Sequence, residues 1–323
     1  AAAITVNNSD GTCTANITNN LSNRRLTING AMTIAQRGVS STTSGYGTVD
    51  RFSIYYNSAD EAPTQAQADV ASGTTPYTLG FRKAFKLTNG DQTSVGTLDI
   101  LWIQQTIEAQ NIANSGWNYT DSNSFITLSF WIKSSVAQTF KGYIRTLDGS
   151  SQQYPFETGT LTQDTWTKVT KKIAGNSNLT FDNDNGGGLQ INIVAFYGTS
   201  GTSNSVTENA WGSYTSSARM KDNTSTWWET NDATLEITGV QLEVGSVATD
   251  FEHRSFGQEL ALCERYCQVL IEGSQYYGTC MLYTGSVHTV ASLWKREMRA
   301  TPTIVATSGT NYYITYRNGG NSQ

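Results

Sequence analysis

The chain is poor in the residues on which most enzymes depend. Histidine occurs only twice among 323 residues, as His253 and His288, and neither lies near a serine or cysteine nucleophile motif. A glycosidase needs two carboxyl groups facing one sugar bond, and no motif pairs any two of the candidate carboxylates. Those candidates are Glu108, Asp148, Glu157 and Glu229. The sequence therefore predicts a protein that is not an enzyme.

Charged residues are scarce as well. They make up 15% of the chain, and 26 acidic residues against 21 basic ones give a net charge of -5. A nucleic-acid partner requires a stripe of Lys and Arg that neutralises phosphates, and the sequence contains no such stripe. We therefore expect no nucleic-acid partner.

Long apolar runs and cysteines are also few. No run comes near the roughly 18 apolar residues that a membrane-spanning helix requires, so we expect no membrane insertion. The four cysteines are Cys13, Cys263, Cys267 and Cys280. A disulfide between Cys263 and Cys267, four apart on one predicted helix face, is geometrically awkward, and two thiols are too few for zinc. We expect free, buried thiols in a protein that is assembled in a reducing cytosol.

Polar turn residues and aromatic residues, by contrast, are abundant. Aromatic residues reach 11% of the chain. Short segments of alternating polarity between turns are typical of two packed antiparallel sheets, so the sequence predicts an all-β fold. Trp131 and Trp166 lie on such segments and are assigned to the core, whereas residues 57–76 are interpreted as a long polar insertion. The clearest predicted strands span residues 125–133, 140–147, 166–173 and 189–196.

The stretch from Ala233 to Gln268 changes its periodicity from strand to helix. Its first part is a strand pattern that switches face around Gly239, which indicates a bulge. Apolar residues then follow a helical period from Gln258 to Ile271, with Ser255 as the predicted cap. The sequence predicts a closing strand followed by a short amphipathic helix at a domain boundary.

This stretch, ATLEITGVQLEVGSVATDFEHRSFGQELALCERYCQ, closely resembles the end of the jelly-roll domain in tail-fibre and other virion-surface proteins of tailed bacteriophages. Further matching motifs, in order, are NGAM at 29–32, QRG at 36–38, DRF at 50–52, QTIE at 105–108, TLSFWIKS at 127–134, TWTK at 165–168 and NAW at 209–211. Their order and spacing fit the family from about Leu21 to Gln268.

The resemblance implies a jelly-roll β-sandwich of the carbohydrate-binding-module type, followed by the short helix and a small β-rich C-terminal domain. We expect an extended N-terminal arm at residues 1–20, the jelly-roll domain at 21–252, and the helix with its tip domain at 253–323. The resemblance also implies a place on the phage particle surface, on a tail appendage rather than the capsid, with other virion proteins as partners. Fibres of this kind are usually trimers.

The helix offers a stripe for contacts between sister chains in a homotrimer, or for packing on its own sandwich. Both alternatives are consistent with its periodicity. The predicted stripe consists of Leu260, Cys263, Tyr266, Cys267, Leu270 and Ile271. The candidates for an oligomer contact within it are Leu260, Cys263, Cys267 and Leu270.

Aromatic residues near polar loops are the main candidates for a binding site. Sugar rings stack their C–H faces on aromatic rings while short polar side chains bond the hydroxyl groups. The alternative is that these rings cap the ends of the core. The candidates for carbohydrate binding are Trp117, Tyr119, Trp211, Tyr214, Trp227 and Trp228.

Asp182 and Asp184 form a D-x-D-x-G pattern, which is typical of the opening of a calcium loop. An EF-hand would have a glutamate where Ile193 stands, so the sequence favours a simple turn. We expect no cofactor, and the alternative is a structural calcium ion at these two aspartates.

Three functions fit the sequence. The first is a structural and adhesive virion protein that binds host-surface glycan. The second is a capsid fibre or decoration protein of the same fold without glycan binding, and the third is a polysaccharide-degrading tailspike.

Overall fold

The computed structural model describes residues 24–271 together with shorter stretches at 4–6, 13–15, 280–284, 287–290, 294–305, 315–317 and 320–322. Three strand pairs lie at the two ends of the chain. They are β1 (Ile4–Val6) with β2 (Cys13–Ala15), β15 (Cys280–Thr284) with β16 (Val287–Val290), and β17 (Thr315–Arg317) with β18 (Gly320–Ser322). The rest of the predicted arm, and residues 272–279, 285–286, 291–293, 306–314, 318–319 and 323 of the predicted tip, lie outside the described residues. The domain boundaries stay predictions.

Two six-stranded antiparallel sheets form the body of the molecule. The front sheet contains, in spatial order, β13 (Gly212–Ser213), β10 (Gln152–Thr160), β9 (Thr139–Thr146), β12 (Gly187–Tyr197), β7 (Ile100–Glu108) and β4 (Ser53–Asn57). The back sheet contains β11 (Thr167–Ala174), β8 (Phe125–Ser134), β14 (Thr234–Val244), β6 (Lys83–Thr88), β5 (Thr64–Asp69) and β3 (Ser40–Ser41). The predicted all-β jelly-roll sandwich is confirmed.

The core lies between the two sheets because alternate residues of each strand point inward. Phe130 of β8 and Phe156 of β10 meet there with their ring centroids 6.4 Å apart, and both are almost completely buried. Burying an aromatic or branched aliphatic side chain stabilises the fold by about 1.5–3 kcal/mol. Period-two alternation therefore holds the two sheets together.

The same alternation corrects the prediction for two tryptophans. Trp131 stands between the core residues Phe130 and Ile132, so its ring points to the outside of the back sheet. There it packs, together with Trp166, around a second apolar cluster that includes Phe81. Neither ring lies in the main core.

Residues 57–76 are not a plain polar insertion. They contain β5 and, at their end, part of the short helix α1 (Thr75–Thr78). β5 lies near the edge of the back sheet, paired with β6 and β3, and carries mostly polar residues. Its composition hid its strand character because few of its residues reach the core.

Two other helices are described, α2 (Ala109–Ala113) and α3 (Phe256–Glu264). α3 begins with the predicted capping box of Ser255 and Gln258 but ends at Glu264, not at Ile271. None of the helices in the described part of the chain is long and apolar enough to cross a membrane.

α3 packs on its own sandwich at Cys263, whose side chain is fully buried. Burial raises the pKa of this thiol, and both Cys263 and Cys267 are free. A residue buried within its own chain has no surface left for a sister chain, which corrects the prediction for Cys263. Leu260, Cys267 and Leu270 are partly exposed, and their place in an oligomer contact stays a prediction.

Candidate functional site

Three of the predicted sugar-binding rings lie inside the protein. Trp227 and Trp228 are fully buried and Trp117 is 3% exposed. Trp228 stacks on Phe196 with ring centroids 5.1 Å apart, and its Nε1 donates to Asp99 Oδ2 at 3.2 Å. A buried ring presents no face to a sugar, so these three residues belong to the core and not to a binding site.

Tyr119 is partly buried at one end of the core. Its ring meets Phe181 edge-on at 5.0 Å and lies 6.2 Å from Trp117. These contacts are those of a ring that caps the sandwich, which is the alternative that the sequence left open.

Trp211 borders a cleft of about 260 Å³ at the β10–β13 edge of the front sheet. Its Nε1 donates to Ala174 O at 2.7 Å, and its ring packs on Tyr154 at 5.4 Å. The amide of Gln153 at the same cleft is already engaged with the backbone of Thr215 and Ala218. Pockets for small ligands usually measure about 300–1,000 Å³ and present unengaged polar groups, so this cleft is a weak candidate.

The outer face of the front sheet carries a stronger combination of side chains. Tyr55 of β4 and Trp102 of β7 are cross-strand partners that point away from the core. Their rings stack with centroids 4.8 Å apart and planes 27° from parallel. Tyr55 is 42% exposed, so the stack presents an accessible aromatic face.

Residues 198–220 follow β12 and fold back over this face. Met220 and Tyr214 pack on the apolar cluster that includes Trp102. The guanidinium carbon of Arg219 lies 5.4 Å from the Trp102 ring centroid and 5.7 Å from that of Tyr214. Arg145 of β9 packs on the Tyr214 ring, with its Cζ 3.7 Å from the ring centroid. A continuous series of rings and cations results.

We call these five residues the outer-face cluster: Tyr55, Trp102, Tyr214, Arg145 and Arg219. Of the residues predicted from the sequence, only Tyr214 belongs to it. The other four were missed, although one signal was present. Three of them occupy outward positions on strands, and Arg219 lies in the covering loop. The signal is that these positions carry aromatic rings or guanidinium groups, whereas a solvated face usually carries Lys or Glu.

Side-chain amides border the outer-face cluster on the same sheet. Gln104 Oε1 accepts from Trp102 Nε1 at 3.0 Å, and Asn192 Nδ2 donates to Gln190 Oε1 at 3.3 Å. Asn192 is fully buried, and its Oδ1 has no hydrogen-bond partner among the described atoms. Because Asn192 is covered, the amides that a ligand can reach on this face are those of Gln104 and Gln190, which are partly exposed.

Two phenols beneath the covering loop stay protonated. Burial raises the pKa of Tyr143 and of Tyr197, and nearby Arg219 opposes this only in part. At neutral pH both hydroxyl groups are therefore neutral, and the only formal charges within the outer-face cluster are those of its arginines.

Asp182 and Asp184 are exposed and serve a turn. Asp184 Oδ1 accepts from the Gly186 N–H at 2.8 Å, and the Asp182 N–H donates to Asp148 Oδ2 at 3.2 Å. Within the described ranges, no group of three or more His, Cys, Asp or Glu residues could hold a metal ion. The two aspartates thus serve a turn here, and a structural calcium ion at them stays a prediction.

No family model matches this chain, and no curated protein does. Several solved structures are similar to this chain. One is the enzymatically active domain of tailspike protein 4 of bacteriophage CBA120, which is 12% identical with a TM-score of 0.34. The match covers 69% of this chain and 22% of that one. A putative sugar binding protein from Bacteroides thetaiotaomicron is 13% identical, with a TM-score of 0.37 and coverage of 68% and 100%. The N-terminal cellulose-binding domain of Cellulomonas fimi β-1,4-glucanase C is 10% identical, with a TM-score of 0.32 and coverage of 67% and 100%. TM-scores this low say nothing about a ligand, which has to be inferred from the residues of this chain.

Proposed function

We propose that this chain is a glycan-binding module on the surface of a phage virion, in a tail fibre or related appendage, and that the outer-face cluster is its sugar site. The observation that carries the proposal is the exposed stack of Tyr55 on Trp102. An aromatic face of this kind suits the C–H face of a sugar ring, and the neighbouring amides suit its hydroxyl groups.

The position on a virion rests on the sequence resemblance of residues 21–268. Binding without catalysis fits the state of the carboxylates. Glu108 accepts two hydrogen bonds from Arg265 at 2.9 and 3.0 Å, and Glu157 accepts one from Lys141 Nζ at 2.7 Å. Carboxylates held in ion pairs are poorly suited to act as a general acid and a nucleophile at one sugar bond.

Binding to immobilised polysaccharides tests the sugar site. The panel comprises the neutral polymers cellulose, xylan, mannan and starch, and the acidic polymers polygalacturonate, alginate, polysialic acid and glycerol-phosphate teichoic acid. We expect Tyr55→Ala to weaken binding roughly ten-fold for any polymer that the wild-type protein binds. The reason is the loss of about 1.5 kcal/mol of contact between the sugar and the Tyr55 ring. Because Tyr55 also stacks on Trp102, the variant should lose at most about 1.5 kcal/mol of stability and stay folded, which thermal unfolding checks.

Trp166→Ala is the matched control because Trp166 is a partly exposed ring on the outside of the opposite sheet. It should leave binding unchanged. Equal losses in both variants, or full binding by Tyr55→Ala, would contradict the outer-face cluster as the site. Failure of the wild-type protein to bind any polymer of the panel would count against glycan binding itself.

A further inference from the structure

The outer-face cluster contains two positive charges that the described part of the chain does not neutralise. Neither Arg145 nor Arg219 has an acidic side chain within ion-pair distance there, and the Nε of each is buried without a hydrogen-bond partner. Lys141, on the same face of β9, differs from them. Its Nζ lies 2.7 Å from Glu157 and 2.9 Å from Glu208, so its charge is fully compensated within the protein.

Both guanidinium groups lie against one aromatic ring. Their Cζ atoms lie 3.7 and 5.7 Å from the centroid of the same ring, that of Tyr214. Both side chains are only partly exposed. A partly desolvated cation without a counter-charge is stabilised by an anion that contacts it.

We propose that the glycan recognised here is acidic, and that oxyanions on the sugar chain bind Arg145 and Arg219 while a neighbouring sugar ring stacks on Tyr55. This inference rests on the proposed function and specifies its ligand class. Guanidinium groups bind carboxylate and phosphate through two parallel hydrogen bonds, which a neutral hydroxyl group cannot match.

The net charge of the whole chain is negative, so a local pair of unpaired arginines stands out against it. At a net charge of -5, the protein repels a polyanion at long range. Attraction must then come from a specific cationic site and act over a short distance. Binding should therefore weaken as salt is raised, because the contact is an ion pair that counterions compete for.

Matched polymer pairs test the ligand class. Polygalacturonate, alginate and polysialic acid are each compared with their carboxyl-reduced counterparts, which keep the sugar backbone and lose the charge. Glycerol-phosphate teichoic acid provides the phosphate arm and distinguishes the two sources of an oxyanion. We expect at least one charged polymer to bind, and its reduced counterpart, where one exists, to bind at least ten-fold more weakly.

Substitutions assign the effect to residues. Arg145→Gln and Arg219→Gln should each weaken binding of the charged polymer about ten-fold or more, the loss expected for one charge-assisted contact. Arg145→Lys, which keeps the charge without the fork, should lose less than Arg145→Gln. Arg82→Gln is the control, because Arg82 carries the same charge and also packs on an aromatic ring. Its Cζ lies 3.9 Å from the centroid of the Tyr77 ring, and neither residue belongs to the front sheet. This variant should bind like the wild type.

The outcomes separate the two proposals. Binding to neutral or carboxyl-reduced polymers as strong as to charged ones would overturn the acidic ligand and leave the glycan site standing. Equal losses in Arg82→Gln and Arg145→Gln would overturn the assignment to this arginine pair. Binding to none of the polymers would overturn both proposals together.

Discussion

At the scale of single residues, Gly239 determines which side chains of β14 face the core. Its φ of +64° and the register shift between Thr238 and Gln241 define a bulge. The bulge lets Ile237 before it and Val240 after it both face inward, although they lie three positions apart. A Cβ at Gly239 would come within 2.7 Å of Phe81 Cζ. The position therefore requires glycine both for its backbone conformation and for space.

Gly239→Val should lower the free energy of unfolding by about 2–4 kcal/mol, as the sum of backbone strain and overpacking. Urea unfolding followed by tryptophan fluorescence measures the change. Gly257→Ala in the first turn of α3 is the control, because a Cβ there meets no atom within 4 Å. It should stabilise the protein by up to about 1 kcal/mol. Similar losses in both variants would mean that the bulge does not depend on glycine.

The bulge could be predicted from the sequence because the apolar pattern itself changes face there. The burial of Trp227 and Trp228 could not. Their neighbours in sequence are mostly polar, and only the tertiary structure shows that the segment packs both indoles onto the core, Trp228 against Phe196. For the same reason Tyr214 was found as a candidate without its partners Arg145 and Trp102, which come from distant strands.

At the scale of elements, the residues that carry the family resemblance dock α3 and its flanking segments onto the sandwich. Arg25 forms a buried ion pair with Glu259 of α3, and Glu252 N donates to Gln241 Oε1 at 2.8 Å. Arg265 and Tyr266 both hydrogen-bond Glu108 at the end of β7. The matching motifs at residues 105–108 and 233–268 thus meet in space, and their role here is structural.

Glu108→Gln should destabilise the protein by about 1–3 kcal/mol at pH 7, because it breaks the ion pair with Arg265, a side chain that keeps some contact with water. Burial alone would raise the pKa of Glu108, but the hydrogen bonds from Arg265, Tyr266 and Gln110 lower it below its ordinary value. The stabilisation is therefore complete above the ordinary pKa of about 4.3 and is lost as pH falls through the lower value in the folded state.

Thermal unfolding of the wild type and Glu108→Gln between pH 7 and pH 2 measures this effect, and the gap between them should close at the acidic end. Asp69→Asn is the control, because its ion pair with Lys83 is exposed and contributes less than about 1 kcal/mol. A gap that stays constant over the whole pH range would show that ionised Glu108 does not stabilise the docking.

The strands in the centre of the sheets were predictable in both place and extent. The segment predicted at 125–133 is β8 at Phe125–Ser134, and that at 189–196 lies within β12 at Gly187–Tyr197. The loop of residues 198–220 has no comparable signal, since its polar sequence is compatible with any surface path. That it returns over the outer face of the front sheet depends on Met220 and Tyr214 reaching an apolar cluster formed by other strands.

At the scale of the whole molecule, the proposed place on a tail appendage of a virion can be tested directly. Immunogold electron microscopy of intact virions, with antibody raised against residues 24–271, should place label at the tips of tail appendages. Label spread over the capsid would instead favour a decoration protein. A homotrimer stays a prediction for which Leu260, Cys267 and Leu270 are the remaining contact candidates.

The location of a bound sugar tests the central claim most directly. A crystal structure of the full chain with an oligosaccharide from the polymer that binds best should show a sugar ring on Tyr55 and an oxyanion within hydrogen-bond distance of Arg145 or Arg219. A sugar in the cleft beside Trp211, or on the back sheet near Trp166, would contradict the outer-face cluster as the binding site.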